Sequence, residues 1–158
     1  MEQDSFFNAI RQGDLQTVKS LGDKNSKLLR SRDGRGSTPL LLAAYYNRED
    51  IVDYLLEKGV EVDDKDGAGN TALIGCCFKG YTGVAKRLIR AGADVNATNT
   101  LGSTGLIYAV TFNQLEIAKL LLGHGAQTQI RDAKGYSALD HARMQGFAQL
   151  ESLLTLTS

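Results

Sequence analysis

The stretch Gly36-Ser37-Thr38-Pro39-Leu40 returns three more times along the chain. The four copies begin at positions 36, 69, 102 and 135, a constant spacing of 33 residues. A second landmark keeps the same spacing, because Gly59, Gly92 and Gly125 each follow an apolar run. A fixed period of this length indicates a repeat architecture, in which each unit buries its apolar side against its neighbours. The later copies are Gly69-Asn70-Thr71-Ala72-Leu73, Gly102-Ser103-Thr104-Gly105-Leu106 and Gly135-Tyr136-Ser137-Ala138-Leu139.

Each copy predicts a pair of antiparallel helices. A hydroxyl residue such as Thr38 caps the free N–H groups of a first turn, and Pro39 fits the first helical position. Asn47 tolerates the positive φ of a tight turn, and Gly59 is typical of a helix C-terminus. The predicted pairs are 5–12 and 14–21, 38–46 and 48–57, 71–79 and 81–90, 104–112 and 114–123, and 137–145 and 147–155.

The repeat resembles the ankyrin repeat. Thr38-Pro39-Leu40-Leu41-Leu42-Ala43 is similar to the family's Thr-Pro-Leu-His-x-Ala motif, and Gly92-Ala93-Asp94-Val95-Asn96 is similar to its usual repeat ending. The resemblance implies an all-α solenoid of stacked helix-turn-helix units joined by β-turn or hairpin loops. The sequence departs from the family pattern at the motif histidine, which is replaced, and at two glycines. These positions are Leu41, Ile74, Ile107 and Asp140, and Gly75 and Gly105.

The resemblance implies a single ankyrin-repeat domain over residues 1–158. We expect an N-terminal capping repeat at 4–33, with an irregular loop at 25–29, and a shortened C-terminal capping repeat at 133–158. The complete repeats are expected at 34–66, 67–99 and 100–132.

Composition restricts the partners. The 18 basic and 18 acidic side chains balance, whereas nucleic-acid binding favours a surplus of Lys and Arg. The sequence has no apolar run of membrane-spanning length, and its acidic first residues do not begin a secretory signal. The adjacent Cys76 and Cys77 are not a disulfide framework. We therefore expect a cytoplasmic monomer that binds neither nucleic acid nor membrane.

The residue patterns that could support chemistry favour structural roles. The stretch 67–72 matches a dinucleotide fingerprint, but acidic residues precede it where an apolar strand is needed. Cys76 and Cys77 are interpreted as small buried residues. His124 is placed at a helix C-terminus, and His141 is not expected to pair with its neighbour Asp140. We predict no catalytic residue, no cofactor and no metal, and hence no enzymatic activity.

Function is therefore expected on a surface. In ankyrin repeats the turns and the ends of the inner helices contact partners, and aromatic residues recur there in this chain. A basic rim suggests some acidic character in the partner. The predicted partner-binding residues are Arg35, Tyr45, Tyr46, Phe78, Lys79, Leu101, Thr111, Phe112, Lys134, Tyr136 and Met144.

The resemblance favours a non-enzymatic protein-interaction module, acting as an adaptor, a scaffold or an inhibitor through its concave face. The alternative is an enzyme or small-ligand-binding protein with a site in the concavity. A subunit that only stabilises a larger assembly is a third possibility.

Two packing expectations follow from the equivalent positions 42, 75, 108 and 141. Gly75 lacks a side chain there, so we expect the Tyr108 ring to lean toward it and fill the gap. Gly75 and Gly83 should also make the repeat at 69–101 the softest internal one, and Gly83→Ala should be stabilising if that position is an exposed helical site.

Overall fold

The computed structural model describes residues 2–157, which form ten α-helices and one 3₁₀ helix. Within that range the β-bridges Thr98–Thr104 and Arg131–Ser137 are isolated, so the architecture is all-α. Each of the five predicted helix pairs is confirmed, with ends that differ from the prediction by at most three residues. The helices are α1 (Glu2–Gln12), α2 (Leu15–Lys24), α3 (Pro39–Tyr45), α4 (Glu49–Glu57), α5 (Ala72–Lys79), α6 (Thr82–Arg90), α7 (Gly105–Thr111), α8 (Leu115–Gly123), α9 (Ala138–Gln145) and α10 (Ala148–Thr157).

The capping residues identified in the sequence begin the inner helices. The Thr38 side-chain oxygen accepts a hydrogen bond from the Leu41 amide at 3.2 Å, and Thr71, Thr104 and Ser137 make the equivalent bond. The turn into the outer helix has positive φ in every complete repeat, including 59° at Asn47. Side-chain caps and permissive turn residues therefore set the helix ends.

The segment after α2 is more regular than expected. It forms a 3₁₀ helix, Ser26–Arg30, instead of an irregular loop. The Asn25 side chain accepts from the Lys27 amide, and Leu28 and Leu29 are buried in the core. Capping and burial together order this segment.

The helices form two layers with the core between them. The inner helices α1, α3, α5, α7 and α9 pack one after another, and the outer helices α2, α4, α6, α8 and α10 do the same. The 33-residue period places equivalent leucines at the same depth. Each such side chain contributes roughly 1.5–3 kcal/mol when buried. The fully buried series is Leu55, Leu88, Leu121 and Leu154.

The turns between repeats bond to one another along one edge of the stack. The Thr100 amide donates to the Ala68 carbonyl at 3.0 Å, and the Ala133 amide donates to the Leu101 carbonyl at 2.9 Å. The Arg32 guanidinium donates to the Lys65 carbonyl, and the Lys65 ammonium donates to the Thr98 carbonyl, each at 2.8 Å. These bonds hold successive repeats in a common register.

The glycine predictions need correction. A Cβ placed at Gly75 would meet no heavy atom within 4 Å, so the Tyr108 ring does not fill this gap. The Tyr108 hydroxyl is instead bonded to Asn99, which holds the ring away. Gly83 is half-buried, and a Cβ there would lie 2.8 Å from a Glu49 carboxylate oxygen. The condition for a stabilising Gly83→Ala change is therefore not met. Across residues 2–157, none of the helices combines the length and apolar character needed to cross a bilayer.

Candidate functional site

One surface of the stack carries most of the exposed large apolar side chains. We call it the inner face. It is defined by the C-terminal ends of α3, α5, α7 and α9, by Tyr46 and Phe112, which directly follow α3 and α7, and by the turns that precede these helices. Tyr45, Phe78 and Phe112 are 51%, 42% and 45% exposed. Exposed apolar side chains that are grouped in one patch mark interaction sites, and aromatic residues are enriched in interface cores. Tyr46, Leu101, Tyr136 and Met144 are also exposed there.

The rings on the inner face form two clusters. Phe78 packs against Phe112 with ring centroids 4.5 Å apart, and against Tyr108 at 6.0 Å. Tyr45 and Tyr46 pack against each other at 6.0 Å. The Lys79 ammonium lies 4.6 Å above the Tyr45 ring centroid, a cation–π contact that links α5 to the cluster of Tyr45 and Tyr46. The sequence predicted a single aromatic stripe, but Thr111 and Lys79 interrupt it at the positions equivalent to Phe78 and Phe112.

A groove of about 700 Å³ lies beside these clusters. Four of the predicted residues line it, namely Arg35, Tyr45, Tyr46 and Phe78. The other predicted residues lie outside its lining, and the Thr111 hydroxyl is bonded to the Ile107 carbonyl of its own helix. These others are Lys79, Leu101, Thr111, Phe112, Lys134, Tyr136 and Met144.

Sequence reasoning did not identify the acidic side chains of the groove as part of the site. Asp33 and Asp66 line it, as do Arg11 and Tyr108, and Gly75 forms part of its wall. A signal was present, because Asp33 and Asp66 belong to a series with the same 33-residue spacing as the other landmarks. The complete series is Asp33, Asp66, Asn99 and Asp132.

This series closes the turns. In each member one side-chain oxygen accepts two backbone N–H groups, two and four residues further on. For Asp66 these are the amides of Ala68 and Asn70, both at 2.9 Å. An Asx turn of this kind fixes the loop before each inner helix. In the other three members, Asp33 accepts from the amides of Arg35 and Ser37, Asn99 from those of Leu101 and Ser103, and Asp132 from those of Lys134 and Tyr136.

In three of the four turn residues the second polar atom of the side chain has a side-chain neighbour, and the neighbour differs from one repeat to the next. Asp33 pairs with Arg11 at 3.6 Å, and the Asn99 amide donates to the Tyr108 hydroxyl at 2.9 Å. His141 Nε2 lies 2.8 Å from Asp132 Oδ2. Burial opposes the charge on Asp132, but the Tyr136 amide, His141 and the Lys134 amide outweigh it and lower the pKa of this carboxyl. As expected, His141 does not pair with Asp140, but its actual partner was not identified from the sequence.

The two thiols are not reactive groups. Cys76 and Cys77 are fully buried, as predicted. Burial raises the pKa of Cys76 to about 12 and that of Cys77 well above its usual value. Thiols held in the protonated form are poor nucleophiles and poor metal ligands. Among residues 2–157, no three His, Cys, Asp or Glu side chains form a group suited to a metal ion.

Comparison with known proteins agrees with this architecture. The family model of ankyrin repeats in three copies matches residues 6–99 and 76–157. A 56-residue segment is 45% identical to protein fem-1 homolog C of Xenopus laevis. The aligned segment covers 33% of this chain and 9% of that protein. The chain thus matches only a small part of this much longer relative. Because the family model spans nearly all of the repeat array, the chain belongs to the ankyrin-repeat family.

Proposed function

We propose that this chain is a non-enzymatic binding module that holds a protein partner on its inner face, as an adaptor, a scaffold or an inhibitor. Ankyrin repeats are in general protein-interaction modules. The observation that carries the proposal is the pair of exposed ring clusters beside the groove, at Tyr45, Tyr46, Phe78 and Phe112. Aromatic side chains bury a large area at low rotamer cost and dominate binding hot spots.

The proposal includes a soluble protein partner contacted by a monomer in the cytoplasm. The charge balance of 18 basic and 18 acidic side chains supports a protein over a nucleic acid or an anionic membrane. The cation of Lys79, beside the Tyr45 ring, and the exposed Arg35 and Lys134 favour an acidic group in the bound segment. The reduced, buried Cys76 and Cys77 are compatible with a reducing compartment.

The test uses the variant Tyr46→Ala/Phe112→Ala. Proteins captured from source-cell lysate by the wild type and by the variant are compared quantitatively, and the partner lost by the variant is then titrated. Each true hot spot should contribute about 2 kcal/mol or more, which is roughly 30-fold in Kd. Leu156→Ala is the matched control, because Leu156 is exposed and apolar but lies on the outer helix α10.

Thermal melting of the variant shows whether loss of the Phe78–Phe112 contact has disturbed the fold. A folded variant that keeps every wild-type partner with unchanged Kd rules out the proposal.

The groove also supports a second candidate, a small-ligand site, because its volume lies in the range of small-molecule pockets. Phe112 does not line the groove, so Phe112→Ala alone separates the two candidates. A protein partner that covers the inner face would lose affinity, whereas a small ligand confined to the groove would not.

A further inference from the structure

In the inner helices α7 and α9, the side chain of the fourth residue faces the turn that precedes the helix. In α7 this residue is Tyr108, whose hydroxyl meets the Asn99 amide nitrogen at 2.9 Å. In α9 it is His141, whose Nε2 meets Asp132 Oδ2 at 2.8 Å. In both repeats a ring therefore reaches back to the turn residue nine positions earlier, and a polar ring atom ends at its side chain.

The repeat that contains α5 lacks this ring. Its fourth residue is Gly75, and the turn residue nine positions earlier is Asp66. Asp66 Oδ1 accepts the turn amides, but within residues 2–157 no group donates a hydrogen bond to Asp66 Oδ2. A Cβ at Gly75 would meet no atom within 4 Å, and both residues line the groove. The acceptor is thus in place and the ring position is vacant.

We infer that the bound partner fills this vacancy with a histidine side chain, whose ring N–H donates to Asp66 Oδ2. The molecule itself indicates this chemistry. The amide of Asn99 meets a phenol, and the carboxylate of Asp132 meets an imidazole, each from the fourth residue of the following inner helix. Asp33 meets a guanidinium instead, but this comes from Arg11 in the preceding helix α1 and not from the position that is vacant at Gly75. Asp66 is a carboxylate like Asp132, so an imidazole is the group that fits this position. A hydrogen bond to an ionised acceptor is stronger than one between neutral groups. Phe78 and Tyr108, which line the same groove, would border the inserted ring.

This inference rests on the proposed function, that the inner face binds a protein, but the vacancy can be examined without the partner. Imidazole itself is the probe, titrated into the full chain while the backbone amides are followed by ¹H–¹⁵N NMR. We expect saturable shifts at the amides of Asp66 and Gly75, with a Kd in the millimolar range. Asp66→Asn should weaken binding roughly tenfold, because the acceptor loses its charge.

Two variants serve as controls. Gly75→His supplies the ring from within the chain, so it should abolish the imidazole shifts and leave the melting temperature no lower than that of the wild type. His141→Gly should open an equivalent vacancy and produce new imidazole shifts at Asp132. If His141→Gly fails to fold, the comparison of the wild type with Gly75→His remains decisive.

The inference is overturned if imidazole gives no saturable shift at Asp66 and Gly75, or if Gly75→His leaves the shifts unchanged. It is also overturned if methylguanidinium binds there more tightly than imidazole, since the vacancy would then select a different cation. A partner that is lost by Tyr46→Ala/Phe112→Ala but bound equally by Gly75→His would overturn the inference alone. If the vacancy binds imidazole but no protein binds the inner face, the proposed function is overturned, and with it the partner as the source of the histidine.

Discussion

The contact between α5 and α7 contains a pair of residues whose sizes are matched across two repeats. Gly105 is the first residue of α7, and a Cβ added there would lie 2.9 Å from Cys77 Sγ. Cys77 is 0% exposed, so its sulfur cannot rotate away without displacing other core atoms. In the preceding repeat the equivalent positions are Ala44 and Ala72, both buried. The chain therefore places a larger side chain on α5 opposite a smaller residue on α7.

The perturbation is Gly105→Ala, alone and together with Cys77→Ala. One added methyl in a filled core costs about 1–3 kcal/mol, and the better helix propensity of Ala offsets up to about 1 kcal/mol. We expect Gly105→Ala to destabilise by about 1–2 kcal/mol and Cys77→Ala by about 1 kcal/mol. The double variant reproduces the Ala44/Ala72 pair and should lose only about 0–1 kcal/mol, because the new methyl occupies the volume vacated by sulfur.

The assay is urea unfolding of the wild type, both single variants and the double variant, with unchanged m-values as the sign that the same transition is measured. The coupling free energy from this double-mutant cycle should be about 1–3 kcal/mol in favour of the double variant. Additive costs, or a Gly105→Ala variant more stable than the wild type, would show that the close approach of Gly105 to Cys77 does not limit packing.

Four further outcomes are expected. Gly75→Ala should stabilise by up to about 1 kcal/mol in thermal melts, because its Cβ enters open space on a helix; an unchanged or lower melting temperature would contradict this. Amides of α6 should exchange faster with deuterium than those of α4, and the reverse order would contradict the prediction that the repeat at 69–101 is the softest internal one. Burial and the bond to Asp23 raise the pKa of Tyr54 to about 12. The protonated phenol therefore contributes stability that is fully present below pH 10 and is lost as the pH rises toward 12. In urea unfolding, the free energy of unfolding of Tyr54→Phe should fall less between these pH values than that of the wild type. The pKa of Asp132 is lowered, so its contribution is present above pH 3.8 and is lost as the pH falls further. The free energy of unfolding of Asp132→Asn should accordingly fall less than that of the wild type as the pH drops below 3.8. Identical dependence on pH in the two proteins would refute a role for this carboxyl.

The helices could be predicted because one period fixes two properties at once. A spacing of 33 residues places Leu55 and Leu88 at equivalent depths in successive outer helices, and it places Thr38 and Thr71 at equivalent helix starts. Burial and capping are local consequences of residue type at a given position in the repeat. Both can therefore be read without knowledge of how neighbouring repeats fit together.

The details of the inner face could not be predicted in the same way, because they depend on contacts between different positions of the repeat. The His141 ring bonds to Asp132, which lies nine residues earlier across a turn. The space at Gly75 remained open because Tyr108 is bonded to Asn99. In contrast, the gap left by Gly105 is occupied from the preceding repeat. Equivalent positions show which residues lie side by side, but not which of them reach one another.

The bonds between turns also give the stack an uneven stiffness. Within residues 2–157, four hydrogen bonds join the turns at 66–70 and 99–103 and the residues just before them. The Lys65 ammonium donates to the Thr98 carbonyl, the Thr100 amide and hydroxyl both donate to the Ala68 carbonyl, and the Asn99 side-chain amide donates to Asn70 Oδ1. The junction before them has the Arg32 bridge but, within residues 2–157, no backbone bond between the turns, and the junction after them has only the Ala133 amide. Elastic bending of the solenoid should therefore concentrate at the two flanking junctions. A long partner would meet a rigid centre between two compliant arms, which can open or close to match its curvature.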